Sequence, residues 1–435
     1  MNKEMIDSGI EWIGKIPATW KIERLQGYLY EINDKNNPIR TTNILSLTNK
    51  LGVVPYSKKG NKGNVAKDNY DEYKIAYPDT IVANSMNILI GSVGYCNYYG
   101  CVSPVYYVFK NKDNTNLNFL NYLFQTQPFQ KELRKYANGI LEIRLRVSSD
   151  DILKREIAIP SSEEQQKIVE KLDKKISQID KLITNQEKQI AKLKDYKQSL
   201  ITKVVTKGLN PNVEMKDSGV EWIEKIPSEW SVYPIKYLFC LSKGLPITKE
   251  NLIEDGIKVI SYGQLHAKNN ISVTADDSLY RFVSESYLET HTECLVDVDD
   301  MIMADTSEDL EGTCDFVRIN TKDKIFAGYH SIILKKRLDI STEYLAYLFM
   351  TDTWRKQFRS KVNGVKLFSL TQKILNQGTA ILPNEEEQKK IVNYINGKCL
   401  NIYRLIQIKQ YKIEKLQNYK KSIIYEYVTG KKDVC

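Results

Sequence analysis

The chain has 435 residues, of which 42% are hydrophobic and 27% charged, as in an ordinary globular protein of two or three domains. Its net charge of +9 favours a polyanionic partner, although positive charge can also serve only solubility. The seven cysteines are odd in number and include no CxxC pair. This argues against a disulfide framework or a zinc ribbon and predicts a reduced, cytoplasmic protein.

The start of the chain, Met1–Asp7, is too polar for a signal peptide. The segment Thr80–Phe109 contains no charged residue, which is also a property of membrane spans. Its many Asn, Ser, Gly and Tyr residues and Pro104 favour buried strands and tight turns instead. The sequence therefore predicts no association with a membrane.

A short motif near the start of the chain is repeated at an offset of 210 residues. The first copy, Met5–Trp20, contains Asp-Ser-Gly-Ile-Glu-Trp and ends in Ile-Pro-x-x-Trp. The second copy, Met215–Trp230, contains Asp-Ser-Gly-Val-Glu-Trp and has the same ending. Two tryptophans in the same frame indicate the same packing role in each half of a tandem repeat.

Each motif leads into a globular segment, at about residues 23–156 and 233–379. Tyr77–Val82 and Val298–Met303 both predict a strand that follows an acidic turn. Amphipathic helices are predicted at Leu117–Tyr136 and Thr342–Val362, each followed by Asn-Gly. Elsewhere the two segments diverge, so a shared scaffold with different loops suggests one task performed on two targets.

A long helix is predicted after the first segment. Ser161-Ser-Glu-Glu164 has the spacing of a capping box, and neither Gly nor Pro follows until Gly208. Apolar residues recur at alternating steps of three and four, the period of a coiled-coil seam that also includes Gln186 and Lys197. Residues 163–206 would form a rod about 66 Å long. Its apolar stripe requires a partner helix.

The same pattern returns at an offset of 223 residues and supplies that partner. Ile157-Ala-Ile-Pro160 matches Ala380-Ile-Leu-Pro383, and Asn384 takes the place of the cap. Gly397 interrupts the second copy and weakens its first turns by about 1 kcal/mol. The predicted seam consists of Ile176, Ile179, Ile183, Ile190, Leu193 and Leu200 in the first helix and Ile402, Ile406, Ile413, Leu416 and Ile423 in the second.

The predicted fold is therefore an internal repeat with pseudo-two-fold symmetry. It has two α/β (α+β) domains, at residues 1–156 and 211–379. Two long helices, in segments 157–210 and 380–435, are predicted to pair as an antiparallel coiled coil. Replacing Ile183 and Ile406 by Asp is expected to cost several kcal/mol, because each change places a charge in the seam.

The duplicated motifs resemble the specificity subunit of type I restriction–modification enzymes. The resemblance rests on Asp-Ser-Gly-Ile-Glu-Trp-Ile-Gly-Lys-Ile-Pro at 7–17, its copy at 217–227, and the Ile-Pro-x-x-x-Glu-Gln helix starts at Ile159 and Leu382, where the second copy has Leu for Ile. It covers essentially the whole chain, and the duplicated order is highly specific. The departures, at Gly397 and in Thr429-Gly-Lys431 against Thr206-Lys-Gly208, concern only helix detail.

The resemblance implies that each globular domain is a target-recognition domain that reads one half of a bipartite site in double-stranded DNA. The paired helices would act as a spacer and dock two methyltransferase subunits, with restriction subunits joining through the complex. It implies no cofactor on this chain, since S-adenosylmethionine, ATP and magnesium would bind to the partner subunits. No metal site is expected, because the three histidines lack ligand spacing.

Candidate DNA contacts lie in the divergent loops. Several lysines stand among Gly and Asn in 56–64, which suits phosphates but equally suits a solvated loop. Two arginines alternate after Gly139 and could read guanine or form surface ion pairs. In the second domain a similar alternation starts at Tyr262, whereas His330 is interpreted as a core histidine. The predicted contacts are Lys58, Lys59, Lys62, Arg144, Arg146, Tyr262, Gln264, His266 and Lys366.

Catalytic signatures are missing from the sequence. It contains no Asp/Asn-Pro-Pro-Tyr/Phe methylase motif, no GxGxxG and no GxxxxGK[ST], and we expect no catalytic residue. Glu387-Gln-Lys389 imitates a nuclease triplet but lies in a helix cap, and its counterpart Glu164-Gln-Gln166 lacks the lysine. Two alternatives remain open: a coiled-coil scaffold that binds only proteins, and an enzyme whose motifs are not apparent.

Overall fold

The computed structural model describes residues 4–48, 52–59, 69–139, 145–362 and 367–433. It divides into two compact units. Unit 1 comprises Met1–Glu187 and Lys409–Cys435, and unit 2 comprises Lys188–Ile408. The units therefore differ from the four contiguous segments expected from the sequence, because each long helix contributes one part to unit 1 and the other part to unit 2.

Unit 1 is built around a four-stranded antiparallel sheet with Thr80–Asn84 as a fully buried inner strand. The uncharged stretch of the sequence thus forms buried strands, as expected. The sheet order is Leu29–Ile32, Tyr106–Asn111, Thr80–Asn84 and Val93–Cys96. Two-stranded pairs are Met5–Asp7 with Lys15–Pro17, Lys21–Arg24 with Glu156–Ile159, Leu45–Thr48 with Gly52–Pro55, and Lys74–Ala76 with Gly100–Val102.

Unit 2 repeats this sheet and adds a second one. The repeated sheet has the order Phe239–Lys243, Ser331–Lys336, Met301–Ala304 and Phe316–Arg318. The added sheet has the order Arg281–Val283, Ile257–Ile260, Ile325–Ala327 and Leu295–Val296, with its middle pair parallel. Two-stranded pairs are Met215–Val220 with Ile223–Pro227, Ser231–Pro234 with Thr379–Leu382, and Thr306–Ser307 with Phe368–Ser369.

The helices after each sheet are shorter than the sequence pattern predicted. Unit 1 has Leu117–Phe124 and Gln127–Arg134 instead of one helix, since Pro128 in the first turn of the second helix cannot donate to the preceding turn. Unit 2 has Thr342–Phe349 and Asp352–Arg359, where the Thr351 side chain caps the second helix. Shorter helices are Ser149–Leu153, Ile235–Leu238, Tyr262–Leu265, Tyr287–Thr290 and Gln372–Asn376.

The two long helices begin at the caps expected from the sequence. The first long helix is Ser162–Lys207, and the Glu164 amide donates to Ser161 Oγ at 3.3 Å. The second long helix is Glu385–Val428, and the Glu387 amide donates to Asn384 Oδ1 at 2.9 Å. Each cap satisfies an amide that would otherwise lack an intrahelical acceptor.

A buried glutamine ties each helix start to its own domain. Gln165 donates to the Pro160 carbonyl at 3.0 Å and accepts from the Asn116 amide at 2.9 Å. Gln388 makes the same two bonds, to the Pro383 carbonyl at 2.9 Å and from the Ser341 amide at 3.1 Å. Asn116 and Ser341 are themselves the caps of the first domain helix. The Gln of the repeated motif therefore ties the start of the long helix to the first helix of the domain.

Within unit 2 the two long helices run antiparallel. Burial raises the pKa of the Cys399 thiol, and the charge of nearby Lys197 acts against this rise. Further along the first helix, a Cβ added to Gly208 would lie 2.9 Å from Glu387 Oε1, so these two residues are neighbours. From the first contact to the second, the residue number rises from 197 to 208 in the first long helix and falls from 399 to 387 in the second. The two helices therefore run in opposite directions.

The predicted seam residues line the contact but differ in depth. Ile179 and Ile423 are buried in the core of unit 1, and Leu200 and Ile402 are buried in unit 2. The remaining predicted seam residues are half-buried, namely Ile176, Ile183, Ile190, Leu193, Ile406, Ile413 and Leu416. The seam is therefore buried more deeply at these four positions than at the seven others.

Each tryptophan motif packs against the end of a long helix. In unit 1, Trp20 lies beside Gly430, and the Tyr425 hydroxyl donates to the Trp12 carbonyl at 3.2 Å. In unit 2, Trp230 lies beside Gly208 and donates to Glu387 at 3.0 Å. The first motif thus receives the end of the second helix, so the two repeats exchange their helix ends.

Candidate nucleic-acid interface

The two units share one backbone arrangement at the end of the inner strand. Asn84 pairs with Tyr106 in unit 1, and Ala304 pairs with Ser331 in unit 2. Just beyond each pair, the Ser85 amide donates to the Val105 carbonyl at 3.4 Å, and the Asp305 amide donates to the His330 carbonyl at 3.2 Å. Val105 and His330 therefore occupy the same structural position. We call this region the strand end of each unit.

The strand end of unit 1 carries the predicted contact Arg146. Its backbone pairs with Asn138 through two hydrogen bonds of 2.8 and 2.9 Å. The side chain is exposed, and Nη2 lies 3.6 Å from the Met86 sulfur. Val147, the next residue, is fully buried and anchors the segment. Arg146 is thus a cation presented to solvent by a fixed backbone.

The strand end of unit 2 carries His330, and the expectation that this residue is a core histidine is wrong. Its side chain is 59% exposed, and Nδ1 lies 3.4 Å from Asp305 Oδ1. Its backbone has a φ of +53°, a left-handed conformation that is uncommon for residues other than glycine. The rings of Tyr262 and Tyr329 pack edge-on against the imidazole, with centroids 5.5 and 6.0 Å away.

A half-buried ionic network lies in the same region of unit 2. His266 contacts Asp315 through Nδ1 and the Thr306 carbonyl through Nε2, both at 2.8 Å. The second carboxylate oxygen of Asp315 accepts from Arg355 at 2.6 Å. Burial acts to lower the pKa of His266, but these partners outweigh it and raise the pKa above its ordinary value. Both ring nitrogens of His266 are engaged, so this histidine positions the strand end.

The predicted alternation of Tyr262, Gln264 and His266 along a strand is wrong. Residues Tyr262–Leu265 form a helical turn that begins at Ser261. The Gln264 side chain returns to the Ser261 amide at 3.1 Å and completes a capping box. The local pattern of polar residues is therefore explained by the cap. Of the three, only Tyr262 contacts His330 through its ring.

The lysine loop of unit 1 is only partly described. Lys58 ends a short 3-10 turn and is exposed, whereas Lys59 Nζ lies over the Tyr56 ring, 4.3 Å from its centroid. Lys62, Arg144 and Lys366 lie outside the described residues. The DNA-contact role of all these residues remains a prediction.

The described ranges contain no group of three His, Cys, Asp or Glu side chains that could hold a metal ion. In the same ranges, no helix combines the length and the apolar content that crossing a membrane requires.

Comparison with known proteins identifies the family. The family model for the type I restriction modification DNA specificity domain matches twice, at residues 17–194 and 227–422. The chain therefore belongs to this family, as the specificity subunit of a type I restriction–modification system. The double match confirms the internal repeat expected from the sequence.

Individual relatives agree with this result. The specificity subunit of the type I restriction enzyme MjaVIII from Methanocaldococcus jannaschii is 22% identical over 423 residues, 96% of this chain and 94% of the relative. A chain from a structural study of complex assembly and conformational transition in the type I system has a TM-score of 0.71 at 12% identity, covering 95% of this chain and 98% of its own. The HsdS subunit from Thermoanaerobacter tengcongensis has a TM-score of 0.53 at 13% identity, covering 98% and 99%. These similarities show the fold.

Proposed function

We propose that this chain reads an asymmetric, bipartite site in double-stranded DNA, with one half-site for each globular domain. The observation that carries the proposal is the difference between the two strand ends. At the strand end of unit 1, exposed Arg146 contacts Met86, whereas exposed His330 stands at the strand end of unit 2. Two copies of one scaffold with different exposed groups suit two different base sequences.

The long helices are proposed to set the spacing between the half-sites and to dock two methyltransferase subunits. Each helix is continuous from one unit into the other, at Ser162–Lys207 and Glu385–Val428. Such a helix has a fixed rise per residue and can act as a spacer, as dimer geometry fixes half-site separation in other DNA-binding proteins. Restriction subunits would join through the assembled complex.

The chain itself is proposed to be non-catalytic. S-adenosylmethionine, ATP and magnesium would act on the partner subunits, consistent with the missing methylase and motor motifs. The purified chain should therefore neither methylate nor cleave DNA, and activity should appear only when the partners are added. Methyl transfer by the purified chain alone would favour the alternative of an enzyme with hidden motifs.

A domain exchange tests the proposal directly. Residues 23–156 are replaced by the equivalent segment of another family member, and the methylome of a host carrying the complete system is sequenced. We expect one half-site to change and the other to stay the same. A change in both half-sites would contradict the assignment of one domain to each. DNA retardation with random competitor separates this function from a scaffold that binds only proteins.

A further inference from the structure

The two strand ends differ in chemistry although their backbones match. In unit 1 the three positions around the shared hydrogen bond are Ser85, Met86 and Val105. In unit 2 the same positions hold the polar residues Asp305, Thr306 and His330. Since both sets of residues are compatible with the same pairing, the fold does not determine which side chains stand there.

The residues that support the strand end are chemically similar in the two units. Val147 and Leu370 are buried aliphatic residues that precede the next helix. Ser148 and Thr371 then cap that helix with a hydroxyl, bonded to the Asp151 and Ile374 amides respectively. This alignment places exposed Arg146 opposite Ser369. Conserved chemistry in the support and divergent chemistry on the surface is the pattern expected of a recognition surface.

Arg146 has the donor geometry for reading a base. Its guanidinium carries five N–H donors in a planar fork, and the contact at Met86 uses a thioether, a weak acceptor. A stronger pair of acceptors, such as O6 and N7 of guanine in the major groove, would satisfy the fork better. The buried Val147 and the backbone bonds to Asn138 hold the segment in place for such a contact.

The backbone of His330 has a left-handed conformation, which residues other than glycine rarely adopt. A left-handed conformation is strained for a residue other than glycine, and such residues cluster at ligand sites. Here the conformation directs an imidazole to solvent between Tyr262 and Asp305. Gly328, two residues earlier, packs so tightly on Ser261 that a Cβ would overlap its hydroxyl. The surroundings therefore fix the direction of the ring.

We infer that Arg146 and His330 are specificity-determining residues, one at the strand end of each unit, each contacting base edges in the half-site of its own unit. The inference rests on the proposed function and adds the location of the reading groups. It also assigns His266, Asp315 and Arg355 as positioning residues, since they support the strand end of unit 2 without facing solvent to the same degree.

The test uses the complete complex with its partner subunits and compares methylomes. Arg146→Ala removes the fork, and His330→Gly removes the ring while suiting the left-handed backbone, so neither change demands refolding. Lys110→Ala and Lys324→Ala are controls, because these exposed lysines lie toward the opposite end of strands in the same units. Thermal unfolding of each purified variant checks that folding is retained.

We expect Arg146→Ala to relax one base of one half-site and His330→Gly to relax one base of the other. Methylation of sites with a different base at that position should rise roughly tenfold or more. If the wild-type complex reads a bipartite site and both variants keep it unchanged, the inference is wrong and the proposed function stands. If the wild-type complex methylates no bipartite site, the proposed function fails and the inference falls with it.

Discussion

Lys420 of the second long helix contacts Asp180 of the first, with Nζ 2.8 Å from each carboxylate oxygen. Both residues belong to unit 1, and their side chains are 32% and 51% exposed. At the equivalent offset of 223, unit 2 has Lys197 and Tyr403, so the ion pair has no counterpart there. The pair therefore distinguishes the helix contact of unit 1 from that of unit 2.

Charge exchange at this pair is the first prediction. Asp180→Lys alone should destabilise unit 1, because two ammonium groups would face each other, and adding Lys420→Asp should restore the attraction. Partial exposure limits the coupling energy to about 0.5–1 kcal/mol. This coupling energy should fall when the salt concentration is raised, because dissolved ions screen exposed charges. A double-mutant cycle by chemical denaturation measures it, and additivity of the two single changes would exclude the interaction.

Truncation of seam residues should have graded effects. Ile423→Ala should cost about 2–5 kcal/mol, since this side chain is fully buried in the core of unit 1. Ile183→Ala, at a half-buried seam position of the same unit, should cost clearly less. The same reasoning lowers the cost expected for Asp at positions 183 and 406. Urea denaturation compares the variants, and equal losses at both positions would contradict the observed difference in burial.

Gly397 inside the second long helix and Gly430 just after it should respond oppositely to alanine. Gly397 lies inside the helix with open space around a new Cβ, so Gly397→Ala should stabilise the protein by about 1 kcal/mol. Gly430 has a φ of +72°, and its Cβ would overlap the Pro17 ring, so Gly430→Ala should be destabilising. Thermal unfolding measures both changes. A loss of stability at Gly397 would show that the helix needs its flexibility.

The network of His266 and Asp315 predicts a dependence of stability on pH. Burial opposes the charge on His266, but Asp315 and the Thr306 carbonyl raise its pKa above 6.5, so its contribution is complete below that pH and is lost as pH rises through the folded value. Burial likewise opposes the charge on Asp315, but His266 and Arg355 lower its pKa below 3.8. Its contribution is present above that pH and is lost on further acidification.

His266→Gln should therefore flatten the decline in stability as pH rises above 6.5 through the folded pKa of His266. Chemical denaturation across this range provides the measurement, with His291→Gln as a control outside the network. An unchanged slope in the His266 variant would show that the imidazole does not carry the effect.

Insertion of one heptad in both long helices tests the spacer. Seven residues placed after Ile190 and after Ile413, which are equivalent positions, keep the seam in register. Each insertion adds about 10 Å, equal to about three base steps at 3.4 Å. The methylome should show a longer gap between the half-sites with unchanged bases. Altered bases would show that recognition and spacing are not separate.

The sequence predicted the elements that depend on neighbouring residues. The caps at Ser161 and Asn384, the heptad seam and the duplicated tryptophan motifs are local patterns, and each is found in the structure. The helix break at Thr351 was missed because a single hydroxyl, in an amphipathic stretch, decides it. The turn at Ser261 was missed because its alternating polar residues also fit a strand.

The candidate site was less predictable than the fold. Arg146 could be proposed from its residue type, but the position of His330 depends on a backbone pairing with Asp305, 25 residues away, and on the ring of Tyr262. The contact between Trp12 and Tyr425 likewise joins residues 413 positions apart. Such long-range contacts leave no local pattern, so neither could be derived from spacing.

The division of the chain between the units has a consequence for its synthesis. Unit 2 is continuous, whereas unit 1 needs residues 409–435 to complete its core. At roughly 5–20 residues per second, those residues leave the ribosome about ten to fifty seconds after Lys188. Until then, the core cluster that contains Trp20 and packs against Trp12 is missing Ile423, Tyr427 and Val428. The half that is translated first is thus the last to complete its core.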